Sequence, residues 1–138
     1  MSLSNDFFVI SSRAAQTILQ VFQKELQDLD VTPVQYEMLL CLMQDGNCSP
    51  TYLANYFGLE GSTITGILDR MEKKGFVYRE RNPYDRRALR IVVSEKGWSI
   101  GADLLAASEK ANRIVEEKLG KEDAITLKRL MSKIYKEQ

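Results

Sequence analysis

The stretch from Gly61 to Arg90 holds residue types suited to gripping a polyanion. It reads GSTITGILDRMEKKG and then, with no linker, FVYRERNPYDRRALR. At helical spacing Ile64, Ile67, Leu68 and Met71 fall at i, i+3, i+4 and i+7, which makes one apolar stripe. The opposite face then carries Ser62, Thr63, Thr65, Gly66, Arg70 and Lys73. Small residues near the start let such a rod approach base edges. Their hydroxyls suit bases or phosphates, and the free N–H groups of a helix start favour phosphate.

Beyond the rod, Phe76–Arg81 reads as a strand, and Leu89, Ile91 and Val93 alternate with Arg90 and Val92 as a second. Asn82-Pro83-Tyr84-Asp85 is turn chemistry, so a hairpin is predicted with Arg86 and Arg87 at its tip. A rod entering a DNA groove beside an arginine-tipped finger fits this pairing.

Charge distribution agrees. The net charge is zero, but residues 70–90 hold eight basic against three acidic side chains, whereas residues 1–69 hold two against eight. A local basic segment is the footprint that a phosphate backbone requires, although a charge run alone also describes a solvated face. Asp69 stands out as an acid on the face meant for phosphate. A wing arginine, with Arg87 as the candidate, would neutralise it and hold the hairpin to the helix.

These pieces need a scaffold, and the pattern supplies helices. From Asp6 to Leu29 an apolar face repeats through Phe7, Ile10, Ala14, Ile18, Val21, Phe22, Leu26 and Leu29. Thr32, Pro33 and Gln35 form a start signal for a helix that runs to about Gln44, with Tyr36, Leu39, Leu40 and Met43 inward, and Asp45-Gly46-Asn47 stops it. Ser49-Pro50 repeats the signal for a short helix to Phe57, and Gly58 marks the turn. Two helices joined by such a turn make a helix-turn-helix. From a cap at Ser94, a helical period continues to Gly120. A last helix from Lys121 is predicted to bury Ile125, Leu127, Leu130, Met131, Ile134 and Tyr135.

Composition narrows the function classes. At 138 residues the chain suits one domain with a proper core. No apolar run is long enough to span a membrane, and the N-terminus lacks signal-peptide character, so a cytoplasmic protein with no membrane partner is expected. Histidine is absent and no clustered nucleophile and base is visible, which argues against an enzyme and against a zinc site. Cys41 reads as a small core residue, and Cys48, in a turn, as the more exposed thiol, with a plain loop thiol preferred to a redox role.

The span from Thr32 to Gly97 resembles the MarR family (multiple-antibiotic-resistance regulators). TPVQYEMLLCL is similar to that family's second helix, GSTITGILDRMEKKGFV to its recognition helix and following strand, and RNPYDRRALRIVVSEKG to its wing, with an Asp-x-Arg signature at Asp85 and Arg87. The flanking helices match too. The fold so implied is mainly α with a small β-hairpin, a winged helix-turn-helix with long terminal dimerisation helices. A single domain, 1–138, would hold a DNA-binding lobe at 32–96 between dimerisation helices at 4–29 and 97–138.

The resemblance also implies a homodimeric regulator, usually a repressor, on a palindromic DNA operator. Expected DNA contacts are Thr32, Gln35, Ser49, Ser62, Thr63, Thr65, Gly66, Arg70, Lys73, Arg81, Arg86 and Arg87, and the family's pairing of Asp69 with Arg87 agrees with the charge argument. Expected dimer contacts are Phe7, Ile10, Leu119, Leu127, Leu130 and Ile134. Many family members carry a larger residue where this chain has Gly66, and its peroxide sensors use a first-helix cysteine that is missing here. No cofactor is implied. A small phenolic or amphipathic effector is, in a cleft that Phe7, Phe22 and Tyr36 would line, though core packing explains these aromatics equally well. The alternative is a winged-helix module that docks on protein without binding an operator, which predicts a neutral wing and recognition face.

Overall fold

The computed structural model describes residues 2–46 and 48–135, with the side chain of Arg86 outside the described part. The chain divides into two compact units, one from Asp28 to Leu104 and one formed by the chain up to Gln27 together with the chain from Leu105 onward.

The first of these begins at an unusual joint. Asp30 adopts a left-handed backbone (φ 56°), rare for a residue with a Cβ. Its carbonyl accepts a hydrogen bond from Lys74 Nζ at 2.7 Å, which fastens the joint. Helix α1 (Phe7–Leu26) precedes this joint and α2 (Pro33–Asp45) follows it. The start of α2 shows the full capping box: Thr32 Oγ1 accepts from the Gln35 amide at 3.3 Å, and Gln35 Oε1 accepts from the Thr32 amide at 3.2 Å. Its inward residues are Met38, Leu39, Cys41 and Leu42. Leu40 points outward and Tyr36 and Met43 are half-buried, which shifts the inward face by one position from the expected one.

Helix α3 (Pro50–Phe57) starts at Ser49, whose hydroxyl accepts from the Tyr52 amide, and ends at left-handed Gly58. Helix α4 (Gly61–Lys73) buries Ile64, Ile67, Leu68 and Met71, the predicted stripe. Each such side chain contributes about 1.5–3 kcal/mol when fully buried. Gly75, at φ 84°, turns the chain into strand β1 (Val77–Asn82), which pairs antiparallel with β2 (Asp85–Val93). Register runs from Val77 opposite Val93 to Arg81 opposite Leu89, then slips so that Asn82 opposes Asp85. Residues 86–88 therefore lie in an irregular stretch of β2. At the root of the hairpin the Ile91 amide donates to the Cys48 carbonyl at 2.8 Å, tying the α2–α3 connection to the wing.

The predicted helix from Ser94 to Gly120 is two helices, α5 (Glu95–Ser99) and α6 (Gly101–Leu119), parted at Ile100. Gly97 explains part of this. It is buried so tightly that a Cβ there would lie 2.4 Å from the Phe76 carbonyl oxygen and 2.7 Å from Val93 Cγ1. Local packing fixes α5 against the hairpin, and Gly101, a weak helix former, lets the chain restart.

In the other unit, Asp6 caps α1 by accepting from the Val9 amide at 3.0 Å, and a 3-10 turn, Gln27–Leu29, begins at its edge. Helix α7 (Lys121–Ile134) completes it. Ion pairs Lys110–Glu25 (3.4 Å) and Lys128–Glu116 (3.0 Å) link its helices. Few side chains are buried: Leu26 on α1, Ser108 and Ala111 on α6, and Ala124 on α7. The five α7 residues expected inside, and Tyr135 just beyond the helix, are instead exposed, Ile134 at 80%, and so are Phe7 and Ile10 on α1.

Candidate nucleic-acid interface

Helix α4 presents Ser62, Thr63, Thr65, Asp69, Arg70, Glu72 and Lys73 to solvent, with Gly66 half-exposed. Its first turn has no side-chain cap, because Glu60 makes none, so its leading amides stay open. Thr65 donates its hydroxyl proton to the Gly61 carbonyl at 3.0 Å, which leaves the oxygen lone pairs outward. Nothing crowds Gly66: a Cβ there would meet only the tip of Arg70, at 3.9 Å.

Arg79 ties the wing to this helix. Arg79 on β1 reaches Asp69 Oδ1 with Nη2 at 2.8 Å and Glu72 Oε2 with Nη1 at 2.7 Å. Its own amide donates to Glu72 Oε1 at 3.3 Å. The expected Asp69–Arg87 pair does not form. Arg79 sits in the regular part of the hairpin beside the helix, whereas Arg87 lies in the irregular stretch near the tip, 97% exposed and 3.8 Å from Asp85 of its own strand. Sequence reasoning missed Arg79 because several wing arginines had the right charge and only the register selects among them.

Internal pairing thins the basic segment. Lys74 is held by Asp30 and by Gln35 Oε1, the latter at 3.0 Å. Arg90 pairs with Glu80. Arg70, Lys73 and Arg87 remain exposed, as does Arg81, and Arg70 and Lys73 have no ion-pair partner among the described residues. Arg86 falls outside the described side chains. Gln35 is buried, its amide spent on the capping box and on Lys74, so it belongs to the scaffold and not to the contact surface. Thr32 and Ser49 lie at helix starts with their hydroxyls engaged as caps.

Both cysteines are buried, which corrects the expected exposure of Cys48. The backbone bond to Ile91 draws Cys48 under the hairpin, where its thiol donates to the Gly46 carbonyl at 3.2 Å. Burial, then the neighbouring Cys48 and Asp45, push the Cys41 thiol up to about 12, and burial raises Cys48 as well. The Tyr52 phenol, donating to Asp45 Oδ2 at 2.8 Å, is likewise pushed up to about 12, chiefly by that hydrogen bond. A thiol of that pKa is about one part in ten thousand thiolate at pH 8. Native Cys41 will therefore react with a disulfide reagent at least about a thousandfold more slowly than in the denatured chain. Comparable rates in the two states, followed by mass spectrometry, would contradict the assigned burial.

A hairpin docked on the exposed-faced second helix of a helix-turn-helix defines a winged helix-turn-helix, the class of many transcriptional regulators. A model of the MarR family matches residues 31–89. The regulator SarZ of Staphylococcus aureus is 31% identical over 103 residues, 75% of this chain and 68% of SarZ. The chain belongs to the MarR family of transcriptional regulators. Among solved structures, a probable transcriptional regulator from Pseudomonas aeruginosa superposes with a TM-score of 0.89 at 26% identity, covering 97% of this chain and all (100%) of that one. CouR, a transcriptional repressor solved on a 23-mer DNA duplex, gives 0.85 at 25% identity, over 96% of this chain and 94% of CouR. No described helix is long and apolar enough to cross a membrane.

Proposed function

We propose that the protein is a cytoplasmic, homodimeric repressor that binds a palindromic operator, responds to a small amphipathic ligand and has no enzymatic activity. The unit from Asp28 to Leu104 is the DNA-reading lobe, with α4 in the major groove and the wing over the flanking minor groove. The other unit supplies the two-fold contact. One observation carries the reading: the exposed side of α4 keeps small, hydroxyl-bearing and basic residues clear of the core, while Arg87 stands exposed at the wing. A module built to dock on protein would not need that cationic edge. A structurally similar repressor, CouR, solved on a DNA duplex, supports the same conclusion.

The test is binding of a labelled duplex from upstream of the chain's own gene across a salt series. Arg70, Lys73, Arg86 and Arg87 give up to four phosphate contacts per subunit, so log K is expected to fall against log salt with a slope of at most about −7 for a dimer. Arg86→Ala with Arg87→Ala should weaken binding about a hundredfold while the dimer stays intact. Salt-independent binding, or an unchanged affinity in that variant, would remove the wing from the interface.

A further inference from the structure

We propose that Arg79 is a positioning residue for DNA recognition: by occupying Asp69 and Glu72 it screens two carboxylates beside the reading face and leaves Arg87 to the DNA. This rests on the operator-binding reading above. Asp69 and Glu72 stand one turn apart on α4, both partly exposed, on the flank nearest the wing. Unscreened, they would repel a phosphate backbone. A single guanidinium satisfies both, one nitrogen to each, and Arg79 is the better buried partner at 22% exposure. Its strand position is secured in turn, because Arg79 opposes Ile91, whose amide is bonded to Cys48. With Asp69 already matched, Arg87 has no partner on α4 and extends into solvent. The wing arginine is thereby released from a structural duty and becomes a contact residue.

Four proteins separate this from the alternatives, each titrated with the same upstream duplex over a salt series: the wild type, Arg79→Ala, the triple variant Arg79→Ala/Asp69→Asn/Glu72→Gln, and Arg87→Ala. Arg79→Ala should bind about tenfold more weakly with the wild-type salt slope, since no phosphate contact is lost. The triple variant should recover to within about threefold of wild type, because the uncompensated carboxylates are gone. Arg87→Ala should flatten the slope by about two per dimer, one contact from each subunit. A triple variant as weak as Arg79→Ala overturns the proposal, and so does a flattened slope in Arg79→Ala, which would make Arg79 itself a phosphate contact. A wild-type slope in Arg87→Ala overturns it too.

If the wild type binds no DNA at all, the operator reading fails. The clamp itself is then read by amide exchange, which should quicken at Ile91 and Arg79 in Arg79→Ala, and unchanged protection there overturns it. Should Arg79→Ala fail to fold, Arg79→Gln takes its place under the same criteria.

Discussion

Gly97→Ala will lower the thermal midpoint by about 10 °C, and Gly97→Val will leave little folded protein at 37 °C. The new Cβ would sit 2.4 Å from a backbone oxygen, that of Phe76, and 2.7 Å from Val93 Cγ1. A carbonyl in a paired turn cannot swing aside as a side chain can. The Ser94 amide is bonded to that oxygen at 2.9 Å, so moving it also breaks the joint between hairpin and α5. Overpacking of this kind costs about 3 kcal/mol, and each kcal/mol moves a domain of this size by about 3–4 °C. Gly66→Ala is the matched control. It lies mid-helix with open space around it, so the substitution should stabilise by about 0.5–1 kcal/mol through helix propensity alone. Thermal unfolding followed by circular dichroism reads both, and a wild-type midpoint for Gly97→Ala would refute the assigned packing.

The second large effect concerns the proposed homodimer. Ile134→Glu and Leu130→Glu should each halve the mass in solution while leaving the helical signal of the chain intact. Both residues are exposed in the single chain, Ile134 at 80% and Leu130 at 45%, so neither substitution empties a core. Each would place a charge in an apolar contact between copies, where an unpaired ion costs several kcal/mol. Splitting the pair also removes the second half-site, which should weaken operator binding by about a hundredfold or more. Sedimentation and anisotropy titration measure the two consequences separately. An unchanged mass in both variants would mean that this face is not the dimer contact.

Much of the unit from Asp28 to Leu104 was legible because its signals are local. Thr32 with Gln35, Ser49 with Pro50, Gly58 and Gly75 mark helix ends by chemistry that acts over three or four residues. The stripe Ile64, Ile67, Leu68 and Met71 follows from helical period alone, and the structure buries all four. What spacing does not encode is which distant groups meet. Arg79 and Arg87 are equivalent by charge, and the hairpin's slip beyond Leu89 decides between them. Gln35 looked like a surface polar residue until Lys74, distant in sequence, closed over it. Cys48 looked like a loop thiol, yet its carbonyl completes the sheet edge at Ile91. The apolar period of α7 was correct as a period, but a period cannot say whether its face meets the same chain or a second copy.

The hydrogen bond between Cys48 and Ile91 has a mechanical meaning. It pins the hairpin at its root, and the guanidinium of Arg79 pins the same rung from the other strand, whereas residues 86–88 lack regular pairing. The hairpin is thus a lever with a stiff base and a compliant end. On the proposed operator its outer few residues would flex to follow a groove that narrows or widens, and the load would stop at the fulcrum before it tilts α4.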